Sequence, residues 1–344
     1  MGNLPRLLFC APASGGGKTT MTCAILQALA EQGVKPTAFK CGPDYIDPMF
    51  HSEVIGAKSR NLDLFFLGRD TTRTLLYENG VTGGVSIIEG VMGYYDGIAM
   101  TSDASAYDLA RETETPAVLI LDGRGRALSA AALVKGMAAF RPDANIRGVL
   151  LNRISPMLYP RLKEAIERET GIHVYGFLPE RPDCALESRH LGLVTAAEVA
   201  GLREKLSVLA GLVREHVDLE GLLALAHSAP ALDAAPMTLP KPAAGRPRIA
   251  VAKDNAFCFY YADALRLLER LGAELVEFSP LQDTRLPEGS AGLYLGGGYP
   301  ELYARELSEN TAMLESVRKA VQGGMPTIAE CGGFLYLHDT LEDG

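Results

Sequence analysis

Ala11-Pro12-Ala13-Ser14-Gly15-Gly16-Gly17-Lys18-Thr19-Thr20 follows directly on the apolar run Leu7-Leu8-Phe9-Cys10. Its glycines let the backbone curl so that several amide N–H groups point inward at an anion, at a helix N-terminus that already favours negative charge. Ser14, Gly15, Gly16, Gly17, Lys18, Thr19 and Thr20 are therefore candidate nucleotide contacts, with Lys18 reaching the β- and γ-phosphates and Thr19 a Mg²⁺ ion. Beyond the loop, Met21, Ala24, Ile25, Ala28 and Leu29 recur three and four apart, which predicts the buried stripe of a helix. Strand, phosphate loop and helix in that order predict an α/β fold with a P-loop. The pattern is a variant one: Pro12 stands where a glycine usually opens the loop.

The 344 residues are enough for two or more domains, and 47% hydrophobic with 22% charged residues suits a globular chain with sizeable cores. No apolar run approaches the roughly 18 residues that span a bilayer, and the N-terminus lacks a basic region ahead of a long apolar core, so neither membrane insertion nor export is expected. Arg6 occupies the position where a myristoylation signal needs Ser or Thr. Cys10, Cys23, Cys41, Cys184, Cys258 and Cys331 form no Cys-x-x-Cys pair. That argues against structural zinc and a secreted disulfide framework, and for reduced thiols in the cytoplasm. A net charge of −9 without a basic tract makes nucleic acid a poor partner.

Apolar strands are predicted at Pro36–Lys40, Val85–Val91, Pro116–Asp122, Ile146–Asn152 and His173–Phe177, separated by helix-like segments, which is the alternation of a parallel α/β sheet. Residues 1–225 read as this first domain. Residues 226–247 read as a linker, its later part carrying five prolines and several alanines with little periodicity. A second α/β pattern occupies 248–344, with strands at Ile249–Ala252, Leu275–Phe278 and Gly292–Leu295 and a helix at Ala262–Leu271.

Lys40-Cys41-Gly42-Pro43-Asp44-Tyr45-Ile46-Asp47-Pro48 places two carboxylates just past a strand end, where open α/β sheets bind ligands; an Asp-Pro turn with a capping Asp is the plainer alternative. Val85-Ser86-Ile87-Ile88-Glu89 closes a second strand on an acid, and Asp122 closes a third. A carboxylate at a strand tip beside the P-loop suits Mg²⁺, which combines one or two carboxylates with phosphates and water. Residue pattern alone leaves Glu89 and Asp122 in competition.

In the second domain, Ile328-Ala329-Glu330-Cys331-Gly332-Gly333-Phe334 sets a cysteine between an apolar strand and a helix-like segment, the layout of a nucleophile elbow. The Gly332 N–H, with a donor from Gly297 or Gly298 in Leu295-Gly296-Gly297-Gly298-Tyr299-Pro300, would form an oxyanion hole, each donor contributing roughly 3–4 kcal/mol. A hydrolytic cysteine also needs an electropositive partner. His338, seven residues on, reads as structural or solvent-facing.

Together these motifs resemble the cobyrinate a,c-diamide synthase family over nearly the whole chain. Carrying the resemblance are Ala13–Thr20, Lys40–Pro48, Asn61-Leu62-Asp63, Glu89-Gly90-Val91-Met92-Gly93-Tyr94-Tyr95-Asp96-Gly97, Ser188-Arg189-His190-Leu191-Gly192-Leu193, Ala256–Tyr261, Gly296–Glu301 and Glu330–Gly333. The resemblance implies a dethiobiotin synthetase-like P-loop domain joined to a class I glutamine amidotransferase-like domain. It implies ATP- and Mg²⁺-dependent conversion of two corrin acetate carboxylates to amides through acyl phosphates, with ammonia from glutamine. By the same resemblance Asp44, Asp47, Glu89, Asp96 and Cys331 are catalytic, Thr19, Asp47 and Glu89 hold the metal, and Asn152 lies on the adenine side. Lys40 and Arg189 would supply local positive potential to a polycarboxylate substrate, with a structural role for Arg189 and His190 equally open.

The resemblance also implies a longer chain, continuing into a segment that carries the histidine activating the cysteine. A chain stopping at Gly344 is then expected to use glutamine poorly and free ammonia still, and unfinished sheet edges would favour aggregation or pairing into a homodimer. The nearest alternative substrate is nickel sirohydrochlorin, for the nickel porphinoid coenzyme of methanogenesis; cobyrate synthase fits the Pro43–Pro48 and Ser188–Leu193 segments less well. An alternative of another class is a ParA-like switch ATPase that binds a partner, which leaves everything from Ile249 to Cys331 unused.

Overall fold

Consecutive apolar residues make a strand that has to be covered on both faces, and β1 (Arg6–Cys10) is such a strand, every residue of it buried. The computed structural model describes residues 3–184 and 196–340. The chain divides into one unit running through Met237 and a second beginning at Thr238.

After β1 the first unit continues with α1 (Lys18–Glu31), β2 (Pro36–Cys41), α2 (Ile46–Phe50), β3 (Ser59–Leu62), α3 (Leu64–Gly80), β4 (Val85–Glu89), α4 (Ala106–Glu112) and β5 (Ala117–Asp122). It closes with α5 (Ser129–Ala139), β6 (Ile146–Asn152), α6 (Tyr159–Thr170), β7 (His173–Leu178), α7 (Ala196–His216) and α8 (Leu219–His227). The strands form one seven-stranded sheet in the order β3-β2-β4-β1-β5-β6-β7, parallel at every pairing. Met21, Ala24, Ile25, Ala28 and Leu29 of α1 are buried. Asp63 starts α3 by accepting from the amides of Phe65 and Phe66, and Ser105 starts α4 by accepting from that of Asp108, so both helices begin at a side-chain cap.

Three features were not foreseen from local pattern. β3 is a short, largely polar strand, Ser59-Arg60-Asn61-Leu62, formed because β2 offers it a ladder from Ala38 to Cys41. Arg6 is fully buried, its guanidinium donating to Leu4 O, Thr113 O and Thr115 Oγ1. Those bonds satisfy a charge that burial would otherwise penalise and tie β1 to the turn before β5. The Pro/Ala-rich stretch is also not uniform: Leu232 is buried in the core, and Arg73 Nε and Thr74 Oγ1 on α3 each donate at 2.6 Å, to Asp233 O and Ala235 O.

The second unit comprises β8 (Arg248–Ala252), β9 (Phe257–Phe259), α9 (Ala262–Arg270), β10 (Glu274–Phe278), β11 (Gly292–Leu295), β12 (Gly297–Gly298), α10 (Ala304–Glu309), α11 (Thr311–Gln322), β13 (Thr327–Ala329) and α12 (Gly332–Tyr336). Its parallel sheet runs β10-β8-β11-β13, and β12 pairs antiparallel with β9 as a separate ribbon. Ala250, Ala252, Phe257, Phe278, Leu293, Leu295, Met313 and Val317 form its core. No helix among the described residues is long and apolar enough to cross a membrane.

Candidate active site

Strand order brings the site together. β4 lies between β1 and β2, so Glu89 at its tip pairs in register with Phe9 on one side and Lys40 on the other. The P-loop leaves β1 at this same edge. Gly15 and Gly17 take left-handed backbone (φ 77 and 88), and Gly17 serves as the N-terminal cap of α1. A Cβ on Gly17 would lie 2.0 Å from Asn152 Nδ2, which donates to Gly16 O at 3.1 Å, so Asn152 braces the loop from the tip of β6. Lys18 is buried and donates to the carbonyls of Ala13 and Met92; burial, and after it Lys40, lower its pKa.

Glu89 is completely buried. Its Oε1 accepts from Thr19 Oγ1 at 2.6 Å and from Lys40 Nζ at 3.0 Å, and its Oε2 faces His51 Nε2 at 3.2 Å. Lys40, also buried, reaches Asp47 Oδ2 at 2.5 Å and Asp44 Oδ2 at 3.6 Å. One lysine thus serves three carboxylates, and they do not titrate alike. Burial pushes Glu89 up, but Lys40 and the contacts from His51 and Thr19 outweigh it and hold its carboxyl well below the usual range. Burial, followed by the repulsion of Glu89, pushes Asp47 up to about 8 despite Lys40. Lys40 itself is held above the usual lysine range, since the three acids outweigh its burial.

Asp44 and Asp96 stand differently. Asp44 Oδ1 accepts from the amides of Ile46 and Asp47, so it shapes the turn that presents Asp47, while Asn61 Nδ2 donates to the carbonyls of Gly42 and Asp44. Asp96 Oδ2 accepts from Gly93 N at 2.8 Å and braces the loop after β4. A Cβ on Gly93 would come within 2.6 Å of Pro12 O, so that loop lies against the P-loop. Asp122, the sequence's competitor to Glu89, is engaged by Arg124 and Arg153, and Arg153 also donates to Gly15 O.

Among the described residues no three His, Cys, Asp or Glu side chains cluster to hold a metal by themselves. The oxygens of Thr19, Glu89 and Asp47 form a hard donor set, and two carboxylates and a hydroxyl beside a phosphate loop fit a cation that shares its shell with phosphates and water.

The second site is built on β13 and β11. Cys331 is exposed and holds φ 49, ψ −113, a left-handed strain of the kind found at a strand-to-helix elbow. Close packing enforces it: a Cβ on Gly333 would lie 2.2 Å from Leu295 O, and one on Gly332 2.7 Å from Pro300 Cδ. Gly333 N donates to Gly296 O and Glu330 N to Leu295 O, pinning the elbow to the end of β11. Gly332 opens α12, so its amide is among those a helix leaves unpaired in its first turn. Gly297 packs with its Cα face 3.4 Å from Cys331 Cβ, counted from where a side chain would start, and Gly298 (φ 155) passes so close to Ala256 O that a Cβ would sit 2.0 Å away. Tyr260 Oη accepts from Gly296 N at 2.8 Å and donates to Ala252 O, holding the glycine loop in place. His338 is exposed and turns to Phe334 O at 2.9 Å.

His51 and Arg153 escaped the sequence reading, and Tyr260 stood in the Ala256–Tyr261 segment without a role. His51 had a signal: it lies four residues after Asp47, which puts both on one face if the segment is helical. Arg189 and His190 lie outside the described residues.

Residues 7–194 match the family model described as the CobQ/CobB/MinD/ParA nucleotide binding domain, and residues 248–344 match that of the CobB/CobQ-like glutamine amidotransferase domain. A protein named cobyrinate a,c-diamide synthase from Caldanaerobacter subterraneus subsp. tengcongensis is 45% identical over 96% of this chain and 73% of its own length. Proteins of the same name from Thermoplasma volcanium and Listeria monocytogenes are 43% and 42% identical, over 99% and 98% of this chain and 75% of their own lengths. The chain belongs to the cobyrinate a,c-diamide synthase family. In this member of the cobyrinate a,c-diamide synthases, the nucleotide-binding match contains the P-loop and every residue gathered around Glu89, and the amidotransferase match contains Cys331 and its glycine loop.

Proposed function

We propose that the chain amidates the a and c carboxylates of cobyrinate or hydrogenobyrinate at the expense of ATP, with ammonia drawn from glutamine. The observation that carries this reading is the cluster of Thr19, Lys40, Asp47 and Glu89 at the mouth of a phosphate loop. The names of relatives 42–45% identical supply the substrate.

In this reading the loop amides and Lys18 hold the β- and γ-phosphates, and Asn152 keeps the loop open toward the nucleotide. Thr19, Glu89 and Asp47 would hold Mg²⁺, which when bound neutralises phosphate charge as the γ-phosphoryl group moves. A substrate carboxylate oxygen attacks the γ-phosphorus and ADP departs, leaving an acyl phosphate; ammonia then attacks the acyl carbon and phosphate departs. Lys40 offsets the negative charge that a polycarboxylate brings to an acidic site. In the second domain the Cys331 sulfur attacks the glutamine side-chain carbonyl and the carbon–nitrogen bond breaks. Ammonia leaves, the amides of Gly332 and of Gly297 or Gly298 stabilise the oxyanion, and water hydrolyses the thioester to glutamate.

The test is ATP-dependent mass gain on cobyrinate and on nickel sirohydrochlorin, each supplied with ammonia or with glutamine. Two amidations of cobyrinate with ammonia are expected. Gain on nickel sirohydrochlorin alone would transfer the reading to that substrate, and no gain on either would remove it.

A further inference from the structure

Two groups of large apolar side chains stay exposed at the carboxyl end of the first unit's sheet, the end that carries the P-loop. Phe65 and Phe66 follow β3, and Met92, Ile98 and Met100 follow β4. In the order β3-β2-β4 they flank the strand that delivers Lys40 and the Asp44–Asp47 turn, on strands two spacings, or roughly 10 Å, apart. Contacts tie both groups to the acid cluster. Asn61 Nδ2 at the end of β3 donates to Gly42 O and Asp44 O, a Cβ on Gly42 would lie 3.8 Å from Val91 Cγ1, and Lys18 Nζ donates to Met92 O.

The exposure is built in. Buried Asp63 accepts from the amides of Phe65 and Phe66, and Gly68, at φ 67 and ψ 178, breaks the helix directly behind them, so Leu64–Leu67 is a separate capped turn. The two rings hold each other edge to face at 5.0 Å, with each residue 65% exposed. On the other side Ala99 and Met100 take left-handed backbone (φ 48 and 65), which non-glycine residues keep only where the surroundings over-determine it. Bonds from Gly97 N to Thr101 O, from Ile98 N to Asp103 O and from Thr101 N to Ile98 O do so here, and they leave Met100 fully exposed.

Both segments also present no outward charge. Leu64–Gly68 contain no ionisable residue, and the one Asp or Glu between Gly90 and Met100, Asp96, turns in to Gly93 N. Fixed, uncharged apolar surface beside a catalytic cluster suits the face of a large ring. It offers nothing to carboxylates, which are left to Lys40 and the phosphate loop.

We infer that Phe65 and Phe66 on one side, and Ile98 and Met100 on the other, are the contact surface for the ring of the substrate: a broad macrocycle with apolar faces and carboxylates around its rim, held with one rim carboxylate directed at the Lys40–Asp47–Glu89 cluster. Aromatic rings supply stacking area, and methionine supplies a polarisable, adaptable contact. The inference rests on the amidation reading above and adds to it the residues that bind the ring.

Equilibrium dialysis tests this without turnover. The full chain, loaded with a non-hydrolysable ATP analogue, is dialysed against cobyrinate and against nickel sirohydrochlorin, and binding is read from the visible absorbance of the tetrapyrrole. For whichever tetrapyrrole the wild type binds, Phe65→Ala/Phe66→Ala is expected to raise the dissociation constant about tenfold and Met100→Ala about threefold, with affinity for the ATP analogue unchanged. Phe65→Tyr/Phe66→Tyr keeps the ring faces and should bind as wild type. Phe140→Ala is the control: Phe140 is exposed where α5 ends, at the opposite end of the sheet, and its loss should change neither affinity. Unaltered tetrapyrrole affinity in Phe65→Ala/Phe66→Ala overturns the proposal and leaves the amidation reading standing. An equal fall in affinity for the ATP analogue, or a change in sedimentation showing that the two rings join copies of the chain, also overturns it. A wild type that binds neither tetrapyrrole overturns the amidation reading and the proposal together.

Discussion

Lys40 and Glu89 face each other as register partners on β2 and β4, their charged atoms 3.0 Å apart with neither side chain more than one-twentieth exposed. A buried pair of this kind gives little net stability while intact, and removing one partner strands the other. Lys40→Met is therefore expected to destabilise the first unit by about 3 kcal/mol. The double variant Lys40→Met/Glu89→Gln should recover part of that loss, because no buried charge is then left unmatched. Denaturant unfolding of the three proteins measures this, and a single variant as stable as wild type would contradict the pairing.

Asp47 behaves in the opposite sense to a typical ion-paired acid. Burial raises its folded-state pKa to about 8, above the roughly 3.9 of an unfolded chain, so the folded protein keeps a proton that the unfolded chain has released. Stability from this group consequently falls as pH rises from about 4, and the loss is complete above about 8. Asp47→Asn cannot ionise and should melt higher than wild type by a margin that widens from about pH 5 to about pH 8, at about 3 °C for each kcal/mol. Nucleotide-dependent activity should be lost. A melting difference flat across that range would refute the raised pKa.

The two left-handed glycines of the P-loop are not equivalent. Gly15 has open space around its missing side chain, whereas a Cβ on Gly17 would meet Asn152 at 2.0 Å. Gly15→Ala should carry little more than a backbone penalty of about 1 kcal/mol, and Gly17→Ala a larger one together with displacement of Asn152. Affinity for an ATP analogue should fall several-fold in the first variant and at least about tenfold in the second, an order that equal losses would contradict.

Thiol accessibility separates Cys331 from the buried Cys10, Cys23, Cys41 and Cys184. Iodoacetamide followed by peptide mass spectrometry should modify Cys331 first, the half-buried Cys258 more slowly and the buried four hardly at all. Ammonia-driven amidation should survive the modification, and glutamine-driven amidation should not. Loss of both at the same rate would place Cys331 in the synthetase chemistry instead.

The parts of this molecule written in short runs of neighbours were legible beforehand. The apolar β1, the glycine loop and the amphipathic α1 are contiguous, and the strand tips carrying Lys40 and Glu89 end recognisable apolar runs. What escaped depends on residues far apart in the chain. β3 is a strand because β2 offers it a ladder, and nothing in Ser-Arg-Asn-Leu announces that. His51 meets Glu89 across 38 positions through a π turn that no periodicity signals. The ribbon of β9 and β12 needs Gly298 to run flush against Ala256, a fit visible only once both segments are placed. Asp96 entered through the family resemblance alone, and its bond from Gly93 N, made within its own loop, is likewise invisible to local pattern.

The Cys331 elbow is shaped by main chain pressing on main chain at Gly333 and Gly298, with Pro300 packed against Gly332 and Tyr260 holding the glycine loop. Its geometry should thus be indifferent to drift in the surrounding apolar residues and intolerant of one added methyl group at Gly333 or Gly298. For anyone grafting or redesigning this site, the transferable unit is a backbone path with its glycines, and the thiol is the replaceable part.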